Sequence, residues 1–220
     1  MPGRERSGHG HRPAVIKEVN LKVAILGPDG AGKSSVIQGL MAKLSDGKRR
    51  LKMRHLKPRL VILRHTDSLT VVTDPHGKPP RSALISVAKI SVWLIEEWYA
   101  SIFQDRKNVL LICDRYYHDL LIDPKRYRYG GPDWVAKQVG MLMPQPDLWV
   151  LLDAPAEVLQ ARKQEVPLNE TLRQRDEYLS FIHGQGNSVI VDAAQSLDKV
   201  ISDVENAVTR TSVPSLGIHE

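Results

Sequence analysis

A single cysteine, Cys113, stands in 220 residues. One thiol closes no intramolecular disulfide and founds no Cys-rich zinc site, which points to a reducing compartment and a cytoplasmic protein. Long apolar runs are missing as well. No stretch approaches the roughly 18 to 20 uninterrupted apolar residues that cross a bilayer, and the amino-terminal segment lacks the apolar centre of a signal peptide. Glycine and proline, at 15 and 14 residues, are too scarce for a collagen-like or low-complexity chain, and a 42% hydrophobic content is too high for a disordered one. An ordinary globular domain is what these absences leave.

Acidic residues are in the minority, 25 against 31 Lys and Arg, giving a net charge of +6. Much of the excess falls in residues 43–64, where Lys43, Lys48, Arg49, Arg50, Lys52, Arg54, Lys57, Arg59 and Arg64 face only Asp46. That stretch has no interleaved aromatics for base stacking, so it reads as a solvated basic surface and argues against nucleic acid as a partner.

Residues 1–20 mix Gly, His and Arg without a hydrophobic period and read as a flexible arm; residues 213–220 read as a tail. His9 and His11 lack the carboxylate or thiol partners of a metal site. Between the two ends, aliphatic runs at 21–26, 109–113, 148–152 and 189–191, with a weaker one at 51–56, each lead into a turn and then a helical pattern. The spacing predicts a long helix over 81–106 and a charged helix over 169–181. Strands alternating with helices predict a mainly parallel five-stranded sheet flanked by helices, in one domain over residues 21–212. Ligands of such sheets bind at the carboxyl ends of the strands.

Two sites on that plan carry chemistry. Gly27-Pro28-Asp29-Gly30-Ala31-Gly32-Lys33-Ser34 fits G-x-x-x-x-G-K-[ST] at a strand-to-helix turn, the arrangement of a P-loop. Backbone N–H groups of the loop and the helix N-terminus would converge on the polyphosphate of ATP. Gly27, Asp29, Gly30, Ala31, Gly32, Lys33, Ser34 and Ser35 are therefore the candidate nucleotide-binding residues, with Lys33 on the β- and γ-phosphates and Ser34 on Mg²⁺. The second site is Cys113-Asp114-Arg115-Tyr116, at the end of the 109–113 strand and beside the P-loop in a parallel sheet. Asp114 is placed to join the Mg²⁺ shell or to take a proton, and Arg115 offers a fork for phosphate or carboxylate.

The P-loop, Asp114-Arg115-Tyr116, Pro146-Asp147-Leu148-Trp149-Val150-Leu151-Leu152-Asp153, and the run from Glu170 through Arg175 to Tyr178-Leu179 resemble the thymidylate kinase family in content and order. The resemblance implies a P-loop NTPase three-layer fold with a mobile helical lid at about 162–182. It implies that Asp29 faces the acceptor's sugar hydroxyl and that Arg115 grips the acceptor monophosphate. With Ala31 before Gly32, the P-loop has no internal Arg, a pattern that moves the catalytic Arg to the lid. Lys33, Asp114, Arg115, Arg162, Arg173 and Arg175 are then the catalytic candidates, alongside Lys163 as a further lid cation. Homodimerisation through the long helix is an expectation from the same analogy.

One departure bears on the acceptor. The family's Thr-Arg-Glu-Pro-Gly-Gly run after the second strand is replaced by Asp74-Pro75-His76-Gly77-Lys78-Pro79-Pro80-Arg81-Ser82, and Asp123 to Pro132 is similarly dense in Pro, Gly, basic and aromatic residues. The pattern also resembles thymidylate-kinase-like proteins that occur among bacterial polysaccharide genes. Three readings follow: phosphoryl transfer to a nucleoside monophosphate, transfer to a sugar or glycan acceptor with Glu96, Glu97, Trp98 and Tyr99 as contacts, or ATP binding with little turnover that docks a partner.

Overall fold

The computed structural model of the protein describes residues 20–45, 50–55, 79–103 and 108–212. The 1–19 arm with His9 and His11, the basic residues Lys48, Arg49, Lys57, Arg59 and Arg64, the Asp74 to Lys78 segment and the tail lie outside these residues.

β1 (Leu21–Leu26) is buried along its whole length, which suits a strand covered on both faces. Its alternation divides the core. Val23 and Ile25 pack with Val36, Ile37 and Leu40 of α1 (Lys33–Lys43) and with Val204 and Val208 of α7 (Leu197–Ser212). Ala24 and Leu26 face the other way, toward Ile90 and Trp93 of α2 (Ala83–Phe103) and toward Tyr116, Tyr117, Trp149 and Tyr178. This is the period of two expected of a central strand.

β2 (Arg50–His55), β3 (Val109–Asp114), β4 (Leu148–Asp153) and β5 (Ser188–Asp192) complete a sheet in the order β2-β3-β1-β4-β5. Every pairing is parallel. α3 (His118–Ile122) and α4 (Asp133–Leu142) follow β3, and α5 (Ala156–Arg162) and α6 (Leu168–His183) follow β4. The chain passes from β1 to β2 on one side of β1 and from β3 across to β4 on the other, so the loop after β1 opens at the switch point where α/β sheets bind ligands.

The edge strand β2 accounts for part of the basic excess. Arg50 and Lys52 are exposed there, as charges on a sheet edge commonly are. Arg54 forms an ion pair with Glu97 of α2, and the same carboxylate takes the Lys22 ammonium of β1 at 3.0 Å. Lys22 also donates to the Tyr116 hydroxyl at 2.7 Å. Lys43 is bound to Glu205 of α7 at 3.2 Å. Lys22 and Arg54 thus tie β1 and β2 to α2.

Candidate active site

The loop from Gly27 to Gly32 is shaped by glycine where no other residue fits. Gly30 has φ +86°, and a Cβ there would be driven into the Leu159 carbonyl of α5. Gly32 has φ +81° and faces open space, so the backbone above the start of α1 is uncovered. No side chain caps that helix. Its first N–H groups are left for a ligand, and Ser34 and Ser35 are exposed in the same turn.

Lys33 folds back over the loop and donates to the Gly27 carbonyl at 2.6 Å and the Pro28 carbonyl at 2.8 Å. Burial, with the Arg115 guanidinium close by, pushes its ammonium down to about 7 against the pull of Asp29, Asp119 and Asp114. A buried cation served by neutral carbonyls at an uncapped helix end is a fit for polyphosphate. Among the described residues no group of three or more His, Cys, Asp or Glu could hold a metal by itself. A divalent cation here would share its shell with phosphate oxygens, as Mg²⁺ does. Asp114, at the end of β3 and level with Ile25 of β1, accepts from His55 Nδ1 at 2.9 Å.

Arg115 is the next residue, and its backbone is in the left-handed region at φ +68°. The strain of that conformation in a non-glycine residue is sustained by what it positions. Arg115 donates to both oxygens of Asp119 at 2.9 and 2.8 Å and to Asp29 Oδ1 at 2.7 Å. Asp119 is wholly buried on α3 and also accepts from the Tyr127 hydroxyl at 2.6 Å and from the Tyr178 hydroxyl. Burial by itself would lower Arg115, yet Asp119, the two tyrosines and Asp29 hold it well above the ordinary range. Burial and Asp119 likewise raise both tyrosines, which stay protonated as donors.

Asp29 is the meeting point. Its second oxygen accepts from Arg126 Nη2, and Arg126 also reaches Glu165 at 2.6 Å. Burial would raise the Asp29 carboxyl; Lys33, Arg115, a hydrogen bond with Glu165 and Arg126 together hold it far below the usual carboxylate range.

The lid arginines are dispersed. Arg162, at the end of α5, donates to the Ala193 carbonyl just past β5 at 2.8 Å. Arg173 pairs with Glu170 and Glu177 on its own helix and donates to the Ile122 carbonyl at the end of α3. Arg175 grips both oxygens of Asp153 at 2.7 and 2.8 Å. Lys163 pairs with Glu165 at 2.5 Å. Thus Lys33, Asp29 and Arg115 come together, whereas Arg162, Arg173 and Arg175 are each bound to other partners.

The two unusual loops meet. Arg81 N–H donates to the Arg128 carbonyl at 2.9 Å, and Arg128 Nε returns a bond to the Pro79 carbonyl at 3.0 Å. Gly130 N–H donates to Ser86 Oγ at 3.0 Å, and a Cβ on Gly130 would strike the Arg81 carbonyl. Tyr127 leads from this junction back to Trp93, edge to face at 5.9 Å.

No family model matches the chain. It is 26% identical to the thymidylate kinase of Pediococcus pentosaceus over 83% of this chain and 93% of that protein. Against the thymidylate kinase of Leuconostoc mesenteroides the identity is 28%, over 82% and 91%. A probable thymidylate kinase of Staphylothermus marinus is 35% identical over 47% of this chain and about half, 54%, of that protein. The structure of a thymidylate kinase from Candida albicans superposes with a TM-score of 0.62, covering 88% of this chain and 94% of that one at 18% identity, a likeness of fold. In sequence the chain is thymidylate kinase-like, and its fold is that of a P-loop kinase.

Several side chains of this site carry little or no signal in the sequence. Asp119 stands four residues beyond Arg115, a spacing that faces the two residues only if a helix begins between them. Arg126 and Glu165 had no such signal. They are 97 and 136 positions from Asp29 in the chain, and only the fold brings them to it.

Proposed function

We propose that the protein transfers the γ-phosphoryl group of ATP to a nucleoside monophosphate. Asp29, held between Arg115 and Arg126 within the P-loop, carries this reading, because it joins the donor loop to the group that would grip an acceptor phosphate. ATP is read as binding through Gly27, Asp29, Gly30, Ala31, Gly32, Lys33, Ser34 and Ser35, with Ser34 and Asp114 holding Mg²⁺. When bound, the metal would neutralise phosphate charge and hold the oxygens in place. Lys33 would gain the anion it lacks and recover its full charge; Arg115, already fixed by Asp119, would orient the acceptor without further reorganisation. Arg162, Arg173 and Arg175 serve the transferred phosphoryl group only if they leave Ala193, Glu170 and Asp153, which is the work of a closing lid at about 162–182.

Residues 21–212 are read as one kinase domain acting in the cytoplasm; among the described residues no helix is long and apolar enough to cross a membrane. Exposed Ile95, Trp98, Tyr99, Ile102 and Phe103 of α2 supply the face for a homodimer. A sugar-type acceptor is the second reading, favoured by the junction of residues 79–82 with 128–130, where the thymidylate kinase pattern is absent. Coupled ADP release with dTMP, dUMP, UMP, CMP, sugars and sugar phosphates separates the two. Stimulation by a nucleoside monophosphate is expected; stimulation by sugars alone refutes the first reading, and ATP binding without acceptor-stimulated turnover refutes both.

A further inference from the structure

We propose that Arg126 is the second arm of a clamp for the acceptor's phosphate, and that Glu165 occupies this arm until the acceptor displaces it. The inference rests on the reading of the acceptor as a phosphate monoester. Arg115 and Arg126 approach opposite oxygens of one carboxylate, Asp29. Two guanidiniums separated by the width of a carboxylate are spaced to share a single phosphate, and forked donors of this kind recognise phosphate better than any other side chain.

The two arms differ in how firmly they are held. Arg115 is locked by its Nη1, which donates to both oxygens of one wholly buried aspartate. Arg126 is loaded unevenly: its Nη2 serves both Asp29 and Glu165, while its buried Nε has no hydrogen-bond partner and lies 3.5 Å from Asp123 Oδ2. Placing two carboxylates on one nitrogen, beside an Nε that makes only a long ion pair with Asp123 and no hydrogen bond, is a poor use of a fork, and an anion that hydrogen-bonded to Nε as well would improve it.

Glu165 is the carboxylate free to leave. It lies in the short connector between α5 and α6, outside either helix, whereas Asp29 is built into the P-loop. Lys163 already holds its other oxygen at 2.5 Å, so release from Arg126 gives up the hydrogen bond with Asp29 but leaves the Glu165 charge paired. Exchange therefore frees the connector at the moment the acceptor phosphate is seated, which links acceptor capture to the segment preceding Arg173 and Arg175.

The test uses the full chain with ADP and Mg²⁺ present, titrated calorimetrically with methyl phosphate, ribose 5-phosphate and dTMP. Glu165→Gln, which keeps size and removes the competing charge, is expected to tighten each phosphate monoester about threefold to tenfold. Arg126→Met is expected to weaken them about tenfold or more, and Arg126→Lys nearly as much, because an ammonium keeps the charge and loses the fork. Should the Met variant prove unfolded by circular dichroism, the Lys variant carries the same comparison. Unchanged or weaker binding in Glu165→Gln overturns the proposal, as does wild-type affinity in Arg126→Lys or no binding of any monoester to the wild type. ADP release with nucleoside monophosphates tests the parent reading separately. A wild type that turns over dTMP while the variants bind phosphate as it does refutes the clamp alone; the expected binding pattern without nucleotide turnover refutes the parent reading alone.

Discussion

Replacing His118 by phenylalanine should flatten the acid side of the stability profile. His118 begins α3, the helix that carries Asp119, and its ring is enclosed by aromatics from three sides. It stacks on Phe181 at 4.7 Å, meets Trp149 edge to face at 5.2 Å, and lies 6.2 and 6.1 Å from the rings of Tyr116 and Tyr117. Its Nδ1 is buried without a hydrogen-bond partner. Burial pushes the imidazole down to about 4 from its ordinary 6.5. Above pH 6.5 the ring is neutral in both the folded and the unfolded chain, so the stability associated with it is fully present. Between 6.5 and 4 the unfolded chain binds a proton that the folded chain refuses, and stability falls as the pH falls. A depression of this size corresponds to about 3 kcal/mol once the pH has passed below 4. The assay is urea unfolding of the wild type and His118→Phe between pH 7.5 and 4.5. Other carboxylates and histidines titrate in both proteins and cancel in the difference. The variant should gain about 2 to 3 kcal/mol on the wild type over that range. Profiles that stay parallel to within about 0.5 kcal/mol would show that the aromatic cage admits the charged ring and would refute the reasoning.

Asp119→Asn removes the charge that fixes Arg115 and should destabilise the protein by about 3 to 5 kcal/mol in the same unfolding assay, since it leaves a buried guanidinium short of a partner. Lys33→Met should lower kcat for acceptor phosphorylation by about a hundredfold or more, while the melting temperature of the nucleotide-free protein holds or rises, because the cost of burying the Lys33 cation outweighs the pull of the nearby aspartates. Gly130→Ala should press on the Arg81 carbonyl, cost about 1 to 3 kcal/mol of stability, and raise KM for the acceptor with KM for ATP little changed. An ATP KM that rises in parallel would place the loop junction outside the acceptor site.

The features legible in the sequence are those written in short-range patterns. The run from Leu21 to Leu26 followed by the glycine-rich turn announced β1, the P-loop and α1, and aliphatic runs announced the other strands to within a residue or two at each end. The parallel sheet followed from their alternation with helices. The anion site around Asp29 was only half visible. Arg115 has a local signal, its place at a strand end, but Arg126 and Glu165 answer to contacts between distant segments. The lid arginines illustrate the opposite difficulty. Arg173 has Glu170 three residues before it and Glu177 four after, a spacing that by itself forms ion pairs along one helix face. Those local partners are the ones it holds. Nothing local could have told that residues 79–82 and 128–130 would be hydrogen-bonded together, because their pairing depends on α2 returning to the end of β3.

The buried triad of Lys22, Glu97 and Arg54 has a consequence for how the edge of the sheet is assembled. β2 contributes little apolar burial, with Leu51 only half-buried and Met53 exposed. Hydrophobic packing therefore gives weak guidance on where this strand should lie along β3. Charge supplies that guidance. In the observed alignment Arg54 faces Glu97 on one side of the sheet, while His55 lies beside Asp114. A slip of one position would turn Arg54 to the opposite face and leave Glu97 with one cation in place of two. The triad acts as a proofreader of strand alignment: it penalises the mispaired edge, and by holding His55 against Asp114 it carries that fidelity from the far side of the sheet to the rim of the P-loop.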